Sequence, residues 1–262
     1  MEIGCILRNN GPEGLDAVRR IADLAAELGY ASVWSSDHVV APPEVAEPYG
    51  VEWLDPVVSL ALVAERAPGV GLGISALVLP YRAALPTAKA LATLQALSGG
   101  RLVAEVGSGW SAQEFAALGV DFASRGALTD ERIEQIRAAF HDPAFAPADA
   151  VPLLAAGNGP VALRRARELR GWHPIGRPPS FIAAHTAALP PGTRVALRSR
   201  VALGRDRNGR PLFGTPDEVA ADLTAYAAAG VTDLVVDYAV DSLADVESQL
   251  RELAGEGVPW PS

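Results

Sequence analysis

The sequence predicts an α/β fold, a (β/α)8 barrel, from three observations. Short apolar or β-branched runs alternate with longer amphipathic runs from one end of the chain to the other. Eight such pairs can be drawn, and 262 residues is close to the roughly 250 that eight strand–helix units occupy. The rival arrangement, a doubly wound open sheet, calls for G-x-G-x-x-G after the first strand, and Arg8-Asn9-Asn10-Gly11-Pro12 is not that turn.

Each element has its own local justification. The apolar run EIGCIL (2–7) is the first strand, and the amphipathic segment 14–28 is a helix stopped by Gly29. ASVWSS (31–36) is the second strand, followed by a loop, 39–54, rich in proline and aromatics, and by a helix over 55–67 that ends before Pro68. VGLGISALVL (70–79) is the third strand, and the helix 84–97 runs into Ser98-Gly99-Gly100. RLVAEV (101–106) is the fourth; a glycine turn leads to a helix beginning near Ala112 and a longer one over 125–140. The connection 140–151, FHDPAFAPADAV, is short and broken by proline, with no room for an inserted subdomain. VPLLAA (151–156), a helix over 159–170 and GWHPI (171–175) follow, and the sixth unit then looks truncated, its helix fenced by Pro178, Pro179, Pro190 and Pro191. TRVALRSRVAL (193–203) is the seventh strand. Thr215-Pro216-Asp217-Glu218 opens the helix 215–229 with a capping hydroxyl, a proline at the first helical position and acids in the first turn, and Gly230 closes it. TDLVVDY (232–238) and a helix over 242–254 complete one domain, 1–262, without internal repeats.

Composition narrows the function classes. Hydrophobic residues make up 49% of the chain, enough for a large buried core, and no apolar stretch approaches the roughly 20 residues that span a bilayer. The N-terminus has no basic region ahead of an apolar core, so the expectation is a cytoplasmic protein with no membrane partner. A net charge of −9, with arginines dispersed among acids, argues against a nucleic-acid partner and for a small-molecule substrate. Cys5 is the only cysteine and no histidine pair has ligand spacing with a supporting carboxylate, so neither an internal disulfide nor a metal site is expected. No G-x-S-x-G elbow occurs, which speaks against a Ser-His-Asp hydrolase.

Barrel ligand sites lie where the strands stop, and the candidate residues fall there. Trp34-Ser35-Ser36-Asp37-His38 ends strand two with a hydrogen-bond acceptor beside a titratable donor; a surface histidine next to a capping aspartate is the plainer alternative. Ser75 and Ala76 lie among small residues of strand three that mark either a ligand's approach or a packing concession. Gly107-Ser108-Gly109 and Gly157-Asn158-Gly159 are glycine turns before helices, the second ahead of Arg164, Arg165 and Arg167, and two such turns favour a cofactor with a phosphate tail. Trp34, Tyr49, Trp53, Trp110 and His173 are aromatic candidates for the substrate pocket. Glu105 shares a strand face with Gly107, so its carboxylate must find an arginine or hydroxyl partner, stay protonated, or face outward through a bulge; it is carried forward as a catalytic acid beside His38.

YASVWSSDH (30–38), ISALVLPYR (74–82) leading to TAKALATLQALSGGRL (87–102), and VGSGWSAQEFAALG (106–119) resemble the luciferase-like monooxygenase superfamily, in particular its branch of oxidoreductases that use the deazaflavin coenzyme F420. The resemblance extends to GTPDEVAADLTAYAAAGVTDLVVD (214–237) and so covers nearly the whole chain. It implies the same barrel, with Asp37 and His38 bordering the coenzyme ring and a strand-three bulge at Ser75-Ala76, often with a non-proline cis peptide. The two glycine turns would bind the coenzyme's polar chain. The reaction implied is hydride transfer between that ring and an organic substrate, with FMN-dependent monooxygenation and cofactor binding without turnover as alternatives. Against the family pattern the connections after strands four and six are shortened, Arg170 stands where an acid is common, and Glu105 stands where glycine is frequent. A pocket left open, or completed by the second subunit of a homodimer, is the expectation that follows.

Overall fold

In a computed structural model the described residues are 1–145, 150–238, 240 and 242–255. In order they form β1 (Glu2–Ile6), α1 (Gly14–Leu28), β2 (Ser32–Ser35), α2 (Pro43–Tyr49), α3 (Pro56–Arg66), β3 (Gly71–Val78), a 3-10 turn (Leu79–Tyr81), α4 (Ala84–Leu97), β4 (Leu102–Gly107), α5 (Ala112–Ala117) and α6 (Arg125–His141). β5 (Leu153–Ala156), α7 (Pro160–Leu169), β6 (Gly171–His173), α8 (Pro179–Thr186), β7 (Arg194–Leu203), β8 (Phe213–Gly214), α9 (Pro216–Ala228), β9 (Asp233–Tyr238) and α10 (Leu243–Ala254) follow. The sheet order is β6-β5-β4-β3-β2-β1-β9-β7-β8, and β6 also pairs with β7, so eight of the strands form the ladder of a (β/α)8 barrel. The two-residue β8 is an addition that pairs with the end of β7.

The chain divides into two compact units. One comprises Met1–Ile6, Asp23–Trp34 and Leu154–Ser262, the other Leu7–Ala22 and Ser35–Leu153. In the first, β1 runs parallel to β2 and β9, and β7 parallel to β9 and β6. Its core holds Cys5, Trp172, Tyr226 and Val235, all without exposure to solvent. Burial pushes the Cys5 thiol up to about 12. In the second, β3 runs parallel to β4, and Leu60, Ile74, Leu77, Leu91 and Phe115 are fully buried. Side chains of this size each contribute about 1.5–3 kcal/mol when removed from water.

Local chemistry accounts for the element ends. Thr215 caps α9 in a reciprocal capping box with Glu218, behind Pro216, as the sequence pattern predicts. Asp55 caps α3 by accepting from the Val57 and Val58 amides. The expected loop 39–54 contains a helix, α2, which proline content had argued against. Pro43 occupies the first turn, where its missing N–H costs nothing, and Gly50, at φ 85°, ends the helix by donating to Ala46. β6 is shorter than expected because Pro174 follows His173 and has no N–H for a ladder; a single bridge, Ile175 to Arg198, continues beyond it. Part of the short 140–151 connection, residues 146–149, lies outside the described residues. Among the described residues no helix is long and apolar enough to cross a membrane, and no group of three or more His, Cys, Asp or Glu could hold a metal ion.

Candidate active site

The second unit gathers most of the predicted site residues at the ends of β2, β3 and β4. Just past β2, Asp37 is only 4% exposed, and both of its oxygens are committed within the chain. Oδ2 accepts from the Val78 amide at the end of β3 (2.9 Å), and Oδ1 accepts from Arg82 Nη2 (2.5 Å). Arg82 Nη1 donates in turn to Asp55 Oδ2 (3.1 Å) at the cap of α3. Burial pushes the Asp37 carboxyl above the usual carboxylate range, with the Arg82 guanidinium and the Val78 amide pulling the other way. Asp37 therefore joins two strand ends and a helix start. Asn9, fully buried beyond β1, adds a second tie by donating to the Ser36 and Leu54 carbonyls (2.7 and 2.8 Å) and accepting from the Ser36 amide.

His38 is held by a residue the sequence reading left unassigned. Its Nδ1 lies 2.8 Å from Glu114 Oε2 of α5, and Glu114 is fully buried. The same carboxylate accepts from the Val39 and Val40 amides through Oε1 (2.7 and 3.1 Å) and from Tyr81 Oη through Oε2 (3.0 Å). Burial raises the Glu114 carboxyl, but the bonds from His38, Val39 and Val40 outweigh it and hold Glu114 below the usual carboxylate range. Burial and the Glu114 carboxylate push Tyr81 well above the ordinary phenol value, so it remains a donor. Ser111 caps α5 by accepting from the Glu114 amide (3.1 Å), and its hydroxyl donates to Glu44 Oε1 (2.5 Å), which also accepts from Gln113 N; this bond ties α2 to α5.

Aromatic rings wall the histidine. Trp53 lies 4.6 Å from His38 and Trp110 5.9 Å, measured between ring centroids, with the Trp110 ring edge-on. Tyr49 lies 6.3 Å from Trp53. The structure thus brings His38, Tyr49, Trp53 and Trp110 together, with half of the Trp110 surface open to solvent.

At β3 and β4 the expected irregularity is present. Ile74 pairs with Ala104 and Leu77 with Val106, so Ser75 and Ala76 together oppose the single residue Glu105, and the Ser75–Ala76 peptide is cis. Glu105 is fully buried and the rest of β4 is buried with it; the bulge lies on the neighbouring strand rather than at Glu105 itself. After Gly107, Ser108 Oγ is within hydrogen-bond distance of Thr129 Oγ1 (2.9 Å). Gly109 adopts φ 75°, and a Cβ there would lie 2.8 Å from both Phe115 Cε2 and Val78 Cγ1, so only glycine fits.

The other predicted residues belong to the first unit. Trp34 and His173 stack there at 5.3 Å, 1% and 0% exposed, and Trp34 Nε1 donates to Ser32 Oγ. Gly157, at φ 110°, accepts from Trp172 Nε1 (2.9 Å) and donates its amide to the His173 carbonyl (3.0 Å). The Asn158 side chain bonds both the N–H and the carbonyl of Ile175, so the Gly157–Gly159 turn presents backbone ahead of Pro160 at the start of α7.

Sequence reasoning missed Glu114, Tyr81, Arg82, Glu44 and Asn9 as site-building residues. For Glu114 a signal existed in an acid beside Phe115 in a short helix directly after a glycine turn, where both residues are buried and Gln113 is exposed.

Known proteins match this chain along its length. An uncharacterized protein of Mycobacterium tuberculosis is 28% identical over 180 residues, covering 58% of this chain and 62% of that protein, so the match spans less than two thirds of the relative. The F420-dependent glucose-6-phosphate dehydrogenase of Amycolatopsis mediterranei is 35% identical over 119 residues, 43% of this chain and 34% of the enzyme. Among solved structures, monooxygenase RslO1 from Streptomyces bottropensis superposes with a TM-score of 0.81 at 20% identity over 97% of this chain and 98% of its own. An F420-dependent secondary alcohol dehydrogenase in complex with an F420-acetone adduct gives 0.76 at 14% identity, covering 98% and 99%. The FMN complex of the oxygenating constituent of 3,6-diketocamphane monooxygenase from Pseudomonas putida gives 0.77 at 16% identity over the whole of both chains. At these identities the superpositions establish the fold alone. The sequence profile of the luciferase-like monooxygenases matches residues 1–204, most of the barrel and all of the His38 site, and the chain belongs to that family.

Proposed function

We propose that this chain is an oxidoreductase that moves a hydride between the deazaflavin coenzyme F420 and a small organic substrate, with His38 exchanging the accompanying proton. The observation that carries this reading is the division of labour at the end of β2. Asp37 spends both oxygens on Val78 and Arg82, whereas His38 uses one ring nitrogen on Glu114 and faces two tryptophans. An imidazole held at one nitrogen keeps the other available to give or take a proton.

The residues present fit a flat heterocycle with a polar edge. The strand ends carry small side chains and glycine at Ser75, Ala76, Gly107, Ser108 and Gly109. These residues would hold the ring, and Gly157, Asn158 and Gly159 carry the corresponding reading, a backbone turn for the phosphate-bearing tail, within their own unit. When bound, the coenzyme supplies the two-electron chemistry. His38 supplies or removes a proton, Trp53 and Trp110 shield it from water, and Glu105, buried opposite the Ser75–Ala76 bulge, is the second acid assigned to the chemistry. The partial match to the glucose-6-phosphate dehydrogenase of Amycolatopsis supports the deazaflavin over FMN. A cytoplasmic homodimer is part of the same proposal.

The test is an anaerobic titration of the purified chain with F420 and with FMN, following the absorbance of each ring. Perturbation of the deazaflavin spectrum with saturation is expected, and His38→Ala should retain it while losing about 10²–10⁴-fold in turnover across a panel of alcohols and activated alkenes. Tight binding of FMN with none of F420 would overturn the deazaflavin assignment, and binding without any turnover would leave a cofactor-binding barrel.

A further inference from the structure

Building on the role given to His38 above, we infer that Glu114 is a positioning residue that fixes the His38 proton on Nδ1 and so reserves Nε2 for proton exchange with the substrate. A carboxylate can only accept hydrogen bonds, and four donors converge on this one: the Val39 and Val40 amides on Oε1, and Tyr81 Oη and His38 Nδ1 on Oε2. Because Oε2 offers no proton, the 2.8 Å contact requires the hydrogen to sit on Nδ1. The neutral ring then carries its lone pair on Nε2.

Three strand ends converge on this arrangement. His38 follows β2, Tyr81 ends the 3-10 turn after β3, and Glu114 lies in α5 beyond β4. Val39 and Val40 directly follow His38, so one carboxylate fixes both the ring and the backbone beside it. The other charged groups nearby already have partners: Glu44 of α2 accepts from Ser111 and Gln113 N, and Asp37 pairs with Arg82. Trp53 and Trp110, whose ring centroids lie 4.6 and 5.9 Å from that of His38, are uncharged. A carboxylate bonded to the far nitrogen of a histidine sets its tautomer and stabilises the imidazolium that forms on protonation.

The proton balance closes on Nε2. A bound deazaflavin would supply the hydride acceptor for the C–H of a substrate carbinol, and His38 Nε2 would take the carbinol O–H proton as the C=O bond forms. The ring becomes an imidazolium 2.8 Å from Glu114, and the reverse reaction returns both.

Ring-nitrogen NMR of the 15N-labelled chain tests this without coenzyme or substrate. The four histidines are His38, His141, His173 and His185, and His38→Gln identifies the signal of interest. The expected result is a single Nδ1–H tautomer for neutral His38 in the wild-type chain, a loss of that tautomer's dominance in Glu114→Gln, and its retention in Tyr81→Phe. An Nε2–H tautomer in the wild type, or an unchanged tautomer in folded Glu114→Gln, would overturn the inference. Should Glu114→Gln fail to fold, the wild-type spectrum alone decides. Failure of the F420 titration would leave this result intact, so the two proposals fail separately.

Discussion

Asp37 and Glu114 are both buried carboxylates of the same unit, each beside a cationic or titratable partner, yet they are displaced in opposite directions. Asp37 is held above the usual range although a guanidinium touches it, and Glu114 is held below it although its partner is only an imidazole. Burial raises both; the Asp55 carboxylate raises Asp37 further, and the two differ in the donors that oppose burial. Asp37 accepts from one amide and one guanidinium nitrogen, whereas Glu114 accepts from two amides, a phenol and a ring nitrogen. Burial costs a carboxylate its hydration, and the number of donors that replace water decides whether the cost is recovered. Asp37 acts as a brace between strand ends; Glu114 holds the His38 ring and the backbone that follows it.

The largest effect should come from the brace. Asp37→Asn would turn an amide NH2 or a carbonyl toward Arg82 while breaking a buried ion pair, and it should cost about 3 kcal/mol, read as a fall in the urea midpoint at pH 7. Little or no fall would mean that Asp55 alone satisfies Arg82. Glu114→Gln keeps the shape but loses the charge and one of its acceptors. A cost of about 1–3 kcal/mol is expected at pH 7, together with a turnover loss larger than the stability loss explains. Because the folded-state value of Glu114 is depressed, its stabilisation is present above the unfolded value of about 4.3 and is lost as pH falls through the folded value, so the gap between wild type and Glu114→Gln should narrow on acidification. The smallest effect belongs to Tyr81→Phe, which removes one donor of four and should cost about 1 kcal/mol in the same assay.

Much of the fold was legible because periodicity and caps are local. α1 and α4 have the bounds that the sequence pattern predicts and the capping box at Thr215 is present, while the bulge at Ser75-Ala76 follows what the family resemblance implies. The helix α2 lies inside the segment 39–54 that its proline and aromatic content marked as a loop, although Pro43 sits where a helix tolerates it. Asp37 and His38 stood out as adjacent polar residues at a strand end. Glu114 did not, because its importance comes from donors brought together by three strand ends, one of them 76 residues away in sequence. For the same reason the commitment of Asp37 to Val78 and Arg82, 41 and 45 residues away, could not be read from the sequence.

The most direct test of the contrast is a carboxyl 13C NMR titration of the folded chain, with Asp37→Asn and Glu114→Gln assigning the two signals. Glu114 should remain a carboxylate below about pH 4.3 while Asp37 takes up its proton above about pH 3.9, each on its own side of the unfolded reference value. A Glu114 signal that protonates above its reference value, or an Asp37 signal that protonates below its own, would contradict the claim that these two buried carboxylates are displaced in opposite directions and that Glu114 stays charged beside His38.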